Sequence, residues 1–172
     1  MSTNAMIYAK QEDDSVKGVY LHWDGYPGYA GDILLNHYTN DAKVQKLISL
    51  GNLSSLGQNP EASELVARFG FNATCYPVEG QMASYLPEEW RKLTESERKR
   101  LMDDNNRHEH TVAYARDRGD AIEFEIFPTV SALKKTSAER RYEYYWNGRT
   151  WYMRKNKVFR KLTQANCDKY KY

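Results

Sequence analysis

Residues 141–154 read RYEYYWNGRTWYMR, and the fold turns on how they are taken. Two runs of ring-bearing β-formers flank Asn147-Gly148, a strong short-range hairpin signal because both turn positions need a positive φ. A two-residue turn there pairs Trp146 with Arg149, Tyr144 with Trp151 and Tyr142 with Met153. Strand alternation then puts Tyr142, Tyr144, Trp146, Trp151 and Met153 on one face, the core face. Arg141, Glu143, Tyr145, Thr150, Tyr152 and Arg154 fall on the other, which reads as wet and basic.

Further β signals lie at both ends of the chain. MIYAK (6–10) and VKGVYLH (16–22) flank the turn-like QEDDS and predict a second hairpin. TVAYAR (111–116) and AIEFEIF (121–127) predict two more strands around the turn DRGD. In the latter, Ile122, Phe124 and Ile126 alternate with Glu123 and Glu125. Between these strands the period changes to helical. Ile33, Leu34, His37 and Tyr38 recur at helix spacing, as do Val44, Leu47 and Ile48, with Thr39 or Asn40 as cap and Gly51 as stop. A short helix is expected at 61–68, one or two at 87–103 with a Thr94–Glu97 capping box, and another after Phe127-Pro128. LGNLSSLG (50–57) reads as a loop.

The class is therefore α+β, a mostly antiparallel sheet with helices packed on one side and a closing hairpin at 141–154. Residues 1–154 read as one domain with a helical, insertion-like segment at 58–110, and 155–172 as a basic C-terminal extension. At 172 residues with 23 aromatic rings, the chain has enough apolar mass for a core without staples. No apolar run approaches the ~20 residues of a membrane span, and the first ten residues do not resemble a secretory signal. Cys75 and Cys167 have no metal or redox spacing and read as free thiols.

The net charge of +2 conceals an asymmetry. Residues 139–172 hold ten Lys or Arg against three acids, a charge of +7, which leaves −5 on the rest. Nine rings share that segment. Charge interleaved with rings suits single-stranded nucleic acid, and an acidic protein partner suits the charge equally well. The binding candidates there are Tyr145, Tyr152, Arg154, Lys155, Lys157, Arg160 and Lys161. A solvated polar end explains the charge too.

The densest chemistry is YLHWDGYPGYAG (20–31), a strand running into a loop rich in turn-makers. His22 and Asp24 point the same way in a strand. If that strand lies beside 111–116, they meet Arg116, Asp117 and Arg118. Such a set can do acid–base work with His22, Asp24 and Asp117, or hold phosphate through arginine. Trp23 and Tyr26 add a ring surface. The competing reading is structural, with the aspartates bonding their own turns and the arginines pairing with them. His108 and His110 in HEH have metal-like spacing but no third ligand in sequence, so no metal and no cofactor is expected. Trp90 reads as a core anchor.

Three segments carry a resemblance. VYLHWDGYPGYAGDILLNHYTNDAKVQKLISLGNLSSLG (19–57), TVAYARDRGD (111–120) and YEYYWNGRTWYMR (142–154) resemble a family of small bacteriophage and prophage proteins. Its marks are a His-Trp-Asp-Gly-Tyr-Pro loop and an Ala-Tyr-x-Arg-Asp-Arg-Gly turn. The resemblance implies a fold and a phage setting, and no reaction. It leads to the expectation of an accessory protein that binds and modulates a host or anti-phage-defence protein in the host bacterial cytoplasm. The alternatives are a nucleic-acid or nucleotide binder using the RDRG turn and the basic end, and a small enzyme at His22/Asp24. No membrane partner is expected.

Overall fold

The computed structural model describes residues 3–136, 142–155 and 157–171. The expected hairpin forms from β1 (Ala5–Lys10) and β2 (Val16–Leu21), paired Ala5 to Leu21 through Lys10 to Val16. A single π-helical turn, Pro27–Gly31, leads into α1 (Asp32–His37). Next is α2 (Asp41–Ser49), whose first turn is capped by the Asn40 side chain on the Lys43 amide. The segment expected as a loop contains β3 (Leu53–Ser55). It is short and apolar at Leu53 only, so no alternation announced it.

The helical unit comprises α3 (Glu64–Phe69), a 3-10 turn at Phe71–Cys75, α4 (Glu88–Lys92) and α5 (Glu95–Asp103). The Thr94–Glu97 capping box is present at the break before α5. Trp90 is fully buried among Leu65, Ala73, Leu86 and Leu101, a cluster of its own. Its indole donates to the Pro77 carbonyl at 3.2 Å.

After α5 come β4 (Val112–Ala113), α6 (Tyr114–Arg118), β5 (Glu125–Phe127) and α7 (Val130–Lys135). The expected strand 111–116 thus stops after two residues, because Asp117 turns back to accept the Ala113 amide at 2.7 Å and the chain coils. The expected strand 121–127 is reduced to its last three residues, and Ile122 and Ile126 are exposed instead of sharing an inward face. Only Phe124 of that trio packs on the core.

The closing hairpin is β6 (Tyr142–Trp146) and β7 (Trp151–Lys155). Its register is Tyr144 to Met153 and Trp146 to Trp151, so the connection is the four residues Asn147–Thr150 and not two. Asn147 Oδ1 accepts the Arg149 and Thr150 amides, which closes the longer loop. A shift of two keeps every residue on its expected face. Arg141 lies outside the described residues. The chain ends with β8 (Val158–Lys161) and α8 (Gln164–Asp168). Far from being an appendage, this segment adds a strand to β7 and places Leu162 and Cys167 in the main core.

The sheet runs β4-β3-β2-β1-β6-β7-β8, with β5 also pairing β2. Only the β1–β6 and β2–β3 pairs are parallel. This is an α+β fold on a mixed, mostly antiparallel sheet. One face, built on Ile7, Val19, Tyr144, Trp146 and Trp151, is covered by α1, α2 and α8. The hairpin's second face is not wet. Tyr8, Tyr145, Leu133 of α7 and Phe127 of β5 close over it. Glu143 and Arg154 sit there as an ion pair, Nε to Oε2 2.8 Å, with side chains 4% and 2% exposed. Among the described residues no helix is long and apolar enough to cross a membrane.

Candidate functional site

β2 does not end at Leu21 in hydrogen-bonding terms. The His22 and Trp23 amides continue along β3, donating to Leu53 O and Ser54 O at 3.0 and 3.1 Å. Asp24 then takes a positive φ of 56°, and the chain turns away. The glycines that follow serve close approach. A Cβ on Gly28 would stand 2.4 Å from the Tyr170 carbonyl, so this loop is also the seat of the C-terminal helix. Tyr144 of β6 donates to Gly25 O at 2.8 Å.

The RDRG turn lies one strand further away than expected, because β3 separates β2 from β4. Arg116 and Asp117 bind each other at 2.7 Å. Arg116 also donates to Pro60 O at 2.6 Å and Thr111 O at 2.5 Å. These two side chains tie α6 to the start of the helical unit. Asp24 faces Arg107 instead, at 3.7 Å. His22 stacks edge-on against Trp23, 4.6 Å between centroids, and more distantly against Tyr114 at 6.5 Å. Arg118 lies over the rings of Phe71 and Tyr114, about 5 Å from each centroid. The residues His22, Asp24 and Asp117 are thus not brought into one cavity.

The structure forms a different site. Between the β3–β4 edge and the helical unit lies a cavity of about 490 Å³. Trp23 stands at its wall, 47% exposed, while Trp90, Trp146 and Trp151 are buried. Ala62, Val66, Phe71 and Val112 supply apolar lining beside Trp23, and Arg107 reaches its rim. Ser54, Ser55, Thr74 and Thr111 share the lining with Ser63, Asn105 and His110. Ser63, the cap of α3, donates to Asn105 Oδ1 at 2.6 Å. That bond fixes the Asn105 amide, and no acceptor among the described residues takes its N–H. His110 also lines the space, while its Nδ1 lies behind that surface, shut off from it and without a hydrogen-bond partner among the described residues.

His110 is held firmly. Gln58 and Asn59 donate to His108 O and Glu109 O, and Thr111 returns a bond to Asn59 O. Gly57 packs so tightly on the His110 backbone that a Cβ would lie 2.4 Å away. Tyr38, deep in the main core, donates to Gly57 O at 2.9 Å, and burial raises its phenol pKa. The backbone around His110 is therefore anchored to the main core.

The other sequence candidates fall into two groups. Tyr145 and Arg154 are buried, and Tyr152 is half-buried against Tyr145 at 6.3 Å. Arg154 donates to Leu133 O and Thr136 O at 2.7 and 3.0 Å and lies 4.6 Å over Phe159. Its work is internal. Arg160 and Lys161 are exposed on β8 and Lys157 is exposed just before it, and the Lys155 side chain lies outside the described residues. Tyr26 is half-buried, 6.2 Å from Tyr29. His108 of the HEH triplet packs on Tyr29 at 5.5 Å. Among the described residues no three His, Cys, Asp or Glu converge on a metal-sized space.

Ser63 and Asn105 carried no mark in sequence, and His110 was weighed only as a metal ligand. Their meeting depends on contacts between residues 42 positions apart, which no local pattern encodes. Comparison with protein-family models, with curated proteins and with solved structures finds no match for this chain.

Proposed function

We propose that this protein acts by binding, and that the Trp23 cavity is where the bound molecule sits. In the phage setting that the motif resemblance implies, it is an accessory protein capturing a component of a host or anti-phage-defence system in the bacterial cytoplasm. The observation that carries the reading is Trp23, the exposed member of the four tryptophans, at the wall of an apolar cavity of about 490 Å³. A half-exposed indole beside concave apolar surface is the arrangement of binding hot spots and small-ligand sites.

An acid–base site at His22/Asp24 and single-stranded nucleic-acid binding by the basic end draw less support. An acid–base site loses its convergence when Asp24 turns to Arg107 and Asp117 to Arg116. Single-stranded nucleic acid needs stacking rings, and Tyr145 is buried while Tyr152 and Phe159 are packed against it. The test is retention from a bacterial lysate on immobilised wild-type and Trp23→Ala protein. Bound proteins are read by mass spectrometry and bound small molecules after deproteinisation. The proposal expects retained material that the variant loses at unchanged thermal stability. Identical retention by both proteins overturns it.

A further inference from the structure

We infer that the Trp23 cavity takes a planar heteroaromatic ring carrying an anionic group, a nucleoside monophosphate being the simplest such ligand. This rests on the reading of the cavity as a binding site and names its occupant's chemistry. Three observations lead to it. First, Trp23 and Phe71 present ring surface to the space. The Arg118 guanidinium lies over Phe71, 5.0 Å from its centroid. Flat rings pair with flat rings at low entropic cost.

Second, the cavity's polar groups suit a heterocycle's edge more than an aliphatic chain. The Asn105 amide keeps its N–H groups while Ser63 engages its oxygen. Ser54, Ser55 and Thr74 are lining residues too and bring hydroxyl-bearing side chains to the site. A purine or pyrimidine edge alternates donors and acceptors in one plane and suits an amide beside hydroxyls. An alkyl group would cover the Asn105 amide without pairing it.

Third, the rim is charged on one side. Arg107 is 66% exposed, and its only ion-pair partner among the described residues is Asp24 at 3.7 Å, beyond hydrogen-bond length. Its five N–H donors remain available to a phosphate. The volume, about 490 Å³, is within the roughly 300–1,000 Å³ of small-ligand sites.

The test uses the full chain and a panel of probes: AMP, GMP, CMP, UMP, adenosine, phenyl phosphate and inorganic phosphate. Calorimetry gives the affinities. Tryptophan emission excited at 295 nm reports the site, because Trp23 is exposed while the other three tryptophans are buried. At least one monophosphate should bind saturably, with phenyl phosphate and inorganic phosphate at least tenfold weaker. The emission change should vanish in Trp23→Phe. Asn105→Ala should weaken the nucleotide about tenfold, as expected for one lost hydrogen bond. Arg107→Ala changes an exposed side chain that folding does not need. It should weaken the monophosphate roughly three- to tenfold and leave adenosine unchanged. Phenyl phosphate binding as tightly as every nucleotide would overturn the base-edge assignment while leaving the cavity a binding site. Inorganic phosphate binding as tightly would overturn the ring. Binding of no probe overturns the inference. The lysate comparison with Trp23→Ala then decides separately whether the cavity binds anything.

Discussion

Replacing Arg154 by methionine keeps the aliphatic stem and removes the charge from the second face of the sheet. The guanidinium pairs with Glu143 at 2.8 Å and donates to the carbonyls of Leu133 and Thr136 at the end of α7. Losing it leaves a carboxylate in a site 4% exposed. Breaking one half of a buried pair costs roughly 3–5 kcal/mol. The Leu133 carbonyl keeps the Thr136 amide and hydroxyl as donors, so the lower end applies, about 3 kcal/mol. For a chain of this size that is a fall in Tm of roughly 6–12 °C. The double variant Glu143→Leu/Arg154→Met removes both charges together. It should cost less than Arg154→Met alone, because the desolvated carboxylate is gone. Urea titration at constant m-value on the wild type, Arg154→Met, Glu143→Leu and the double variant gives the coupling energy directly. If Arg154→Met costs under about 1 kcal/mol, or if the double variant costs the sum of the singles, the pair is not the buried staple described.

Four further outcomes follow. Trp90→Ala should cost about 3–5 kcal/mol, and hydrogen exchange should show the loss concentrated in residues 64–103, because that helical unit has its own hydrophobic cluster. Leu162→Ala should cost about 2–5 kcal/mol although it follows the basic strand, since Leu162 is 1% exposed in the main core. Stability should be level near neutrality and fall above pH 9. Burial pushes the Cys167 thiol up to about 11 and raises the phenols of Tyr8, Tyr38 and Tyr144. An acid whose folded pKa is raised binds its proton more tightly folded than unfolded. Its effect is nil below the unfolded pKa and destabilising by about 1.4 kcal/mol per pH unit above it. Thermal melts from pH 7 to 11 with phenolate absorbance check this, and a midpoint independent of pH over that range contradicts it. Trp23→Ala should change stability by under about 1 kcal/mol while abolishing most acrylamide-quenchable emission.

Local pattern carried much of this fold. The β1–β2 hairpin, the Asn40 cap, the Thr94–Glu97 box and the two faces of β6–β7 were all legible. Each is decided within a few residues by turn chemistry, capping or alternation, and those forces act the same in any tertiary setting. The hairpin register was misread by two residues for a local reason, since Asn147 caps a four-residue loop as readily as it enters a two-residue turn.

What the tertiary structure alone decided is what covers each surface and what stands next to what. Alternation shows that Glu143 and Arg154 share a face. It cannot show that α7 and β5 will close over it and turn a solvated pair into a buried one. Charge marked residues 155–172 as exposed, yet Leu162 and Cys167 are buried because the β7 edge and the loop at Gly28 are there to receive them. β3 is too short to signal itself and exists because β2 and β4 offer it partners on both sides. The candidate site is the extreme case. Trp23, Ser63 and the pair Asn105 and His110 come from three separate segments, and a cavity is a property of the space between them.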